Sequence, residues 1–392
     1  MTVTPTRRSP IPAGMLAALT LVAGLEVCAF RPRNDLAAFI PASWVEASRA
    51  ARHDAVSADV LFLGDSQVKG GLLPSAFESQ SRLRAYNLAT IGGQPAAALA
   101  LLRQAIDSGA RPRAVVVGFY PGLLAADSRI NVRQWPDLLG PIGCLDLIRA
   151  AGDFPFAAPL LTRSLLPSLR RRDEIRAAAL TLATGTPDAA TAKALAYQRN
   201  WRLNSGAQAL TPNPAFRDDP IPPPGEPGSA ANRSGGHWRA KDEHLVHLRK
   251  LFTFAASQNI SVFWLLPTNS PGLQSFRKTA GLDAAYLRLV TNLQREFSGL
   301  TVLDPNSLLT DPSVFSDACH LDHRRALTLT LVAADALAHR LASESVVINP
   351  HANWVGLVGR ENGTRVAVKI SETIDQSTQV MSTNSRARKI WR

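Results

Sequence analysis

From Ala58 onward, short apolar runs alternate with longer stretches whose apolar residues recur at helical spacing, the pattern of a parallel sheet covered by helices. Residues 59–63 (DVLFL), 83–88 (LRAYNL), 114–118 (AVVVG), 260–266 (ISVFWLL) and 300–303 (LTVL) predict five strands. Helices are predicted over 95–108, 240–258, 283–297 and 323–341, with Asp322 placed to cap the last. Between the third and fourth strands the alternation stops. Residues 140–210 are rich in Ala, Leu and Arg and predict helices, whereas 211–236 carry too much Pro, Gly and Asp for anything but loop. The pattern is that of one α/β domain over 58–343 with a helical and Pro-rich insertion at about 125–239. Residues 344–392 change style again, end basic, and are expected to form a disordered tail.

Before the domain, residues 13–30 (AGMLAALTLVAGLEVCAF) form an apolar run broken only by Thr20 and Glu26 and closed by Arg31 and Arg33. Its length is near the lower limit for a spanning helix and exceeds most signal-peptide cores, so residues 1–33 read as a single-pass membrane anchor. The soluble domain is then expected outside the cytoplasm. A hydrophobic fraction of 46% permits a sizeable core. The balance of 43 Lys+Arg against 31 Asp+Glu gives +12, but the basic residues are scattered rather than grouped with aromatics, so no nucleic-acid partner is expected. The densest group, Arg163, Arg170, Arg171, Arg172 and Arg176, is answered by Asp173 and Glu174 and reads as a solvated helical face. Cys28, Cys144 and Cys319 are too few for a disulfide framework. His237, His244 and His247 surround a charged helix start and read as surface histidines. No metal or other cofactor is expected, since there is no His-Glu-x-x-His, Walker or Gly-x-Gly-x-x-Gly pattern.

Two short motifs carry the chemistry. Gly64-Asp65-Ser66 follows the first buried strand, where the chain turns toward a helix and a side chain is presented at the sheet edge. A Gly-Asp-Ser tripeptide arises by chance in roughly one chain of this length in ten, and Asp-Ser also caps helices, so the motif alone says little. Asp317-Ala-Cys-His320 follows the last predicted strand. Its spacing lets the carboxylate hold one imidazole nitrogen and leaves the other to take a proton from a serine.

The order of these motifs resembles the SGNH or GDSL-type hydrolases over about residues 59–341, excluding the insertion. The resemblance implies a flavodoxin-like three-layer α/β/α fold with a central parallel sheet. It implies Ser66 as nucleophile, His320 as base and Asp317 as the group orienting it. Asn87-Leu-Ala-Thr-Ile-Gly92-Gly93 matches a further family element, in which the Gly92 amide joins that of Ser66 to hold the oxyanion. The chain departs from the family after the third strand, where Gly-x-Asn-Asp is replaced by Gly118-Phe119-Tyr120-Pro121. Losing such a donor typically costs about 10²–10³ in rate. Tyr120, Gln94 and Asn269 are the candidate replacements. The reading that follows is a serine esterase removing O-acyl, for instance O-acetyl, groups from a small-molecule, carbohydrate or cell-envelope ester. An O-acyltransferase acting on an envelope polysaccharide, and a non-catalytic protein of the same fold, are the alternatives.

Overall fold

The computed structural model describes residues 13–30, 39–219, 238–343 and 354–356. Five parallel strands, β1 (Val60–Gly64), β2 (Ala85–Asn87), β3 (Ala114–Gly118), β4 (Ser261–Leu265) and β5 (Leu300–Asp304), lie in the order 2-1-3-4-5. That is a doubly wound order, with connections to both sides of β1. All five strands fall within two residues of their predicted positions. The short antiparallel pair β6 (Phe315–Asp317) and β7 (His320–Leu321) carries the Asp-x-x-His motif, and β8 (Trp354–Gly356) pairs parallel to β5. No strand was expected at β8; the rest of the expected tail lies outside the described residues.

The strands are apolar on both faces because both are covered, as expected for a parallel sheet. Leu61, Leu63, Val115, Val117, Trp264 and Val302 point into one core. That core is closed by α2 (Phe39–His53), α5 (Pro95–Asp107), α12 (Asp242–Ser257) and α14 (Leu282–Glu296). Val60, Phe62, Val116, Phe263 and Leu303 point the other way, against α3 (Ser66–Gly71), α4 (Pro74–Ser81) and α15 (His323–Ser343). Period-2 alternation thus builds a three-layer α/β/α sandwich. Asp322 caps α15 as expected, accepting from the amides of Arg324 and Arg325 at 2.9 and 3.2 Å.

The segment 39–53, which the pattern left unassigned, belongs to the core. Trp44 of α2 is fully buried and meets Trp135 edge-to-face at 4.9 Å. Trp135 opens α7 (Trp135–Ala151), the first long helix of the insertion. The short α6 (Pro121–Ala125) precedes it, and α8 (Phe154–Leu165), α9 (Pro167–Arg170), α10 (Arg172–Thr184) and α11 (Ala189–Leu203) follow. The insertion is therefore helical, as expected, through Leu203. Its arginine group is not all solvated: Arg170 and Arg171 are buried and both pair with Asp137, at 3.2 and 3.0 Å. Arg172 of the group does meet Asp173, at 3.7 Å, and Arg133 from outside it meets both Asp173 and Glu174.

The apolar run 13–30 forms one helix, α1 (Ala13–Phe30), with Met15, Leu16, Leu19, Leu21 and Val22 exposed. Glu26 accepts from the amide of Ser168 at the start of α9 and from its hydroxyl. Among the described residues, no helix is long and apolar enough to cross a membrane.

Candidate active site

Ser66 stands where β1 ends and α3 begins. This sharp passage from strand to helix needs glycine behind it. Gly64 has φ +140°, and a Cβ there would lie 2.0 Å from the carbonyl oxygen of Gly118 on the neighbouring strand. Asp65 is the N-cap of α3, and its fully buried carboxylate does two things. Oδ1 accepts from the Gln67 amide at 2.9 Å, and Oδ2 accepts from the backbone amide of Tyr120. The cap reading of Asp65 therefore holds, and the cap fixes the turn that presents Ser66. Burial pushes the Asp65 carboxyl up to about 6, against the pull of the two amides.

The Asp-x-x-His loop closes on this turn from β6 and β7. Asp317 Oδ1 accepts from the amides of Cys319 and His320, each at 2.9 Å. The same carboxylate lies 2.8 and 2.9 Å from His320 Nδ1. A carboxylate partner assigns the proton to Nδ1, so Nε2 is the acceptor, and it receives the Ser66 hydroxyl at 2.8 Å. Although 254 residues separate Ser66 from His320, the three side chains form one continuous relay. Burial alone would lower the imidazole's proton affinity. The Cys319 sulfur and the Asp317 carboxylate outweigh it and hold His320 well above the ordinary histidine range. What desolvation Asp317 suffers is outweighed by His320 and by the Cys319 amide, and its carboxyl lies below the usual range.

The loop after β2 is pinned at nearly every residue. Lys69 Nζ donates to Ala89 O at 3.0 Å, and the Thr90 amide donates to Gly64 O at 3.0 Å. The Ile91 amide donates to Ser43 Oγ at 3.1 Å, while Ile91 O accepts from Trp44 Nε1 at 2.9 Å. Gly92 O accepts from Asn131 Nδ2 at 2.9 Å, and the Gly93 amide donates to Thr90 O at 3.0 Å. Gly93 passes so near β1 that a Cβ would lie 2.3 Å from Gly64 O. Among the described residues the amides of Gly92 and Ser66 donate to no protein group. Two fixed donors without a protein acceptor, on the two loops beside the serine, are what a developing oxyanion requires.

Two of the candidate replacements for the missing Asn, Gln94 and Asn269, have side-chain amides bonded within the frame. Gln94 is fully buried, and its Nε2 lies 3.2 Å from Leu123 O and 3.1 Å from His244 Nε2. Asn269 turns its Nδ2 to Oε1 of Gln274, on α13 (Pro271–Thr279), at 3.0 Å. The Tyr120 amide donates to Asp65, a bond that does not engage the Tyr120 hydroxyl. His244 and His247 are buried rather than at the surface. His244 Nε2 meets Ala126 O at 2.9 Å and His247 Nδ1 meets Glu243 O at 2.7 Å, so both serve the frame. His237 lies outside the described residues.

Sequence reasoning passed over several residues that shape the site. Gln67 Nε2 reaches Cys319 O at 3.1 Å and Thr268 O at 3.3 Å, tying the serine turn to the histidine loop and to the end of β4. Lys69 is buried, donates also to Gly206 O at 2.9 Å, and lies 4.7 Å over the Trp201 ring. Burial pushes its ammonium down to about 7. Ser43, Trp44 and Asn131 come from segments that carried no motif. Every one of these contacts joins residues far apart in the chain, so no local signal announced them. Comparison with known proteins finds no matching family model and no matching curated protein.

Proposed function

We propose that this chain is a serine ester hydrolase of the SGNH type. The observation that carries the reading is the relay Ser66 Oγ to His320 Nε2 at 2.8 Å, with His320 Nδ1 at 2.8 Å from Asp317. Ser66 Oγ attacks the acyl carbon as its proton passes to Nε2. The tetrahedral oxyanion takes hydrogen bonds from the Ser66 and Gly92 amides. The new imidazolium, steadied by Asp317, returns the proton to the leaving alkoxide, and an acyl-enzyme remains. Water then attacks that ester with His320 again as base, releasing the acid. An acyltransferase would use the same acyl-enzyme, passing the group to a sugar hydroxyl instead of water. The parallel order 2-1-3-4-5 supports the flavodoxin-like arrangement of that family. O-acyl esters of carbohydrates or envelope polymers are the proposed substrates. A membrane anchor at 1–33 is proposed from the apolar run itself and is tested by alkaline extraction of membranes bearing the full chain.

A fluorophosphonate that phosphonylates activated serines tests the central reading. The native chain is expected to be labelled and to hydrolyse p-nitrophenyl acetate, and Ser66→Ala to do neither. Equal labelling of native protein and Ser66→Ala overturns the proposal.

A further inference from the structure

We propose that Asp317, Cys319 and His320 also form a site for a thiophilic divalent cation, zinc above all, and that occupation of the site switches the serine off. The switching half rests on the hydrolase reading; the site itself does not. Cys319 Sγ lies 3.5 Å from both Asp317 Oδ1 and His320 Nδ1, and all three ligand atoms fall within 4.8 Å of one another. Zinc binds sulfur at about 2.3 Å and imidazole nitrogen or carboxylate oxygen at about 2.0–2.2 Å, tetrahedrally. Those lengths put sulfur about 3.5 Å from a nitrogen or oxygen ligand and nitrogen about 3.4 Å from oxygen. Two edges of the triangle already have that length. The third, between Nδ1 and the same Oδ1, is 2.9 Å and must open by about half an ångström once the shared proton moves away. Asp317 is the most exposed of the three, which leaves that side of the cluster open to a water ligand. The neighbouring candidates are occupied elsewhere: Asp322 binds Arg324, and His323 Nδ1 meets Leu210 O.

Binding releases one proton, that of the Cys319 thiol, while the proton on His320 Nδ1 moves to Nε2. Its consequence for the serine follows from the tautomer. A neutral imidazole metallated at Nδ1 carries its remaining proton on Nε2, the nitrogen 2.8 Å from Ser66 Oγ. That nitrogen then donates to the hydroxyl and can no longer take its proton. The acyl pocket stays open while the base is lost, so inhibition comes without steric blockage.

The test uses the full chain with zinc and, separately, cobalt. Native protein is expected to bind zinc in competition with a chromophoric chelator, and its cobalt complex to show a near-ultraviolet thiolate charge-transfer band. Cys319→Ser and Cys319→Ala are expected to lose the band and to weaken zinc binding about tenfold or more. Fluorophosphonate labelling of the native chain is expected to fall with zinc occupancy and recover with chelator, each variant being compared with its own metal-free rate. The proposed site is overturned if native protein and Cys319→Ala bind zinc equally, or if the cobalt band is missing. Zinc occupancy that leaves labelling unchanged overturns the switch. A native chain that is never labelled condemns the hydrolase reading instead, while chelator competition and the cobalt spectrum still decide the site.

Discussion

At the scale of single residues the chain is organised around where protons sit. Asp317 keeps the His320 proton on Nδ1, and replacing it by Asn removes both that preference and the imidazolium's partner. Asp317→Asn is therefore expected to slow fluorophosphonate labelling by about 10³–10⁴. The pH profile gives an independent readout. In the proposed mechanism His320 acts as the neutral imidazole, and Cys319 and Asp317 raise its proton affinity well above the ordinary value. Labelling of the native chain should fall as pH drops through a midpoint above the usual histidine range, and Asp317→Asn should move that midpoint down. A midpoint unchanged by Asp317→Asn would contradict the assigned role.

At the scale of elements, function depends on three loops being held to one another. Gln67 is the plainest case: it sits next to the serine, yet its side chain spends itself on Thr268 and Cys319 carbonyls. Gln67→Leu leaves two buried carbonyls without that donor and should cost about 1–3 kcal/mol in denaturant unfolding. Labelling should slow while its pH midpoint stays put, since Gln67 positions the base without touching its proton. Gly93 makes the complementary point about backbone. A Cβ there would meet Gly64 O at 2.3 Å, so Gly93→Ala forces the loop after β2 away from β1. A loss of about 3 kcal/mol, the upper range for overpacking, is expected. An unchanged unfolding midpoint would mean the loop gives way freely. Strand positions were legible in the sequence because burial on both faces writes itself as apolar runs. The pins on the loop after β2 were not, because Ser43, Trp44 and Asn131 are ordinary residues until folding brings them to Ile91 and Gly92.

Over the whole molecule, the insertion is tied into the sheet domain through Lys69. Its ammonium joins Ala89 of the loop after β2 to Gly206 beyond α11, with Trp201 beneath it. Burial depresses its proton affinity to about 7, whereas the unfolded chain keeps the lysine value of 10.5. Above pH 7 the unfolded state binds more protons, so stability rises with pH across that window and is lost as pH falls toward 7. Between pH 7 and pH 9 this one group should add about 2 kcal/mol, and Lys69→Met should remove that gain relative to the native chain. Parallel stability curves for the two proteins would show that Lys69 titrates normally.

Sequence alone determined the α/β class, the positions of β1 to β5 and the helical insertion, and its likeness to a known order of motifs proposed Ser66, Asp317 and His320 as partners. Each of these is written locally, as an apolar run, a helical period or a short motif in a known order. The tertiary structure decided what a one-dimensional pattern has no means of expressing. It brought Ser66 and His320 to 2.8 Å, and it enlisted α2 in holding the loop after β2. It buried His244, His247 and Arg170, read from sequence as solvated, and Lys69, which carried no reading. Such residues are buried only because partners distant in sequence satisfy them, and those partners exist only once the chain has folded.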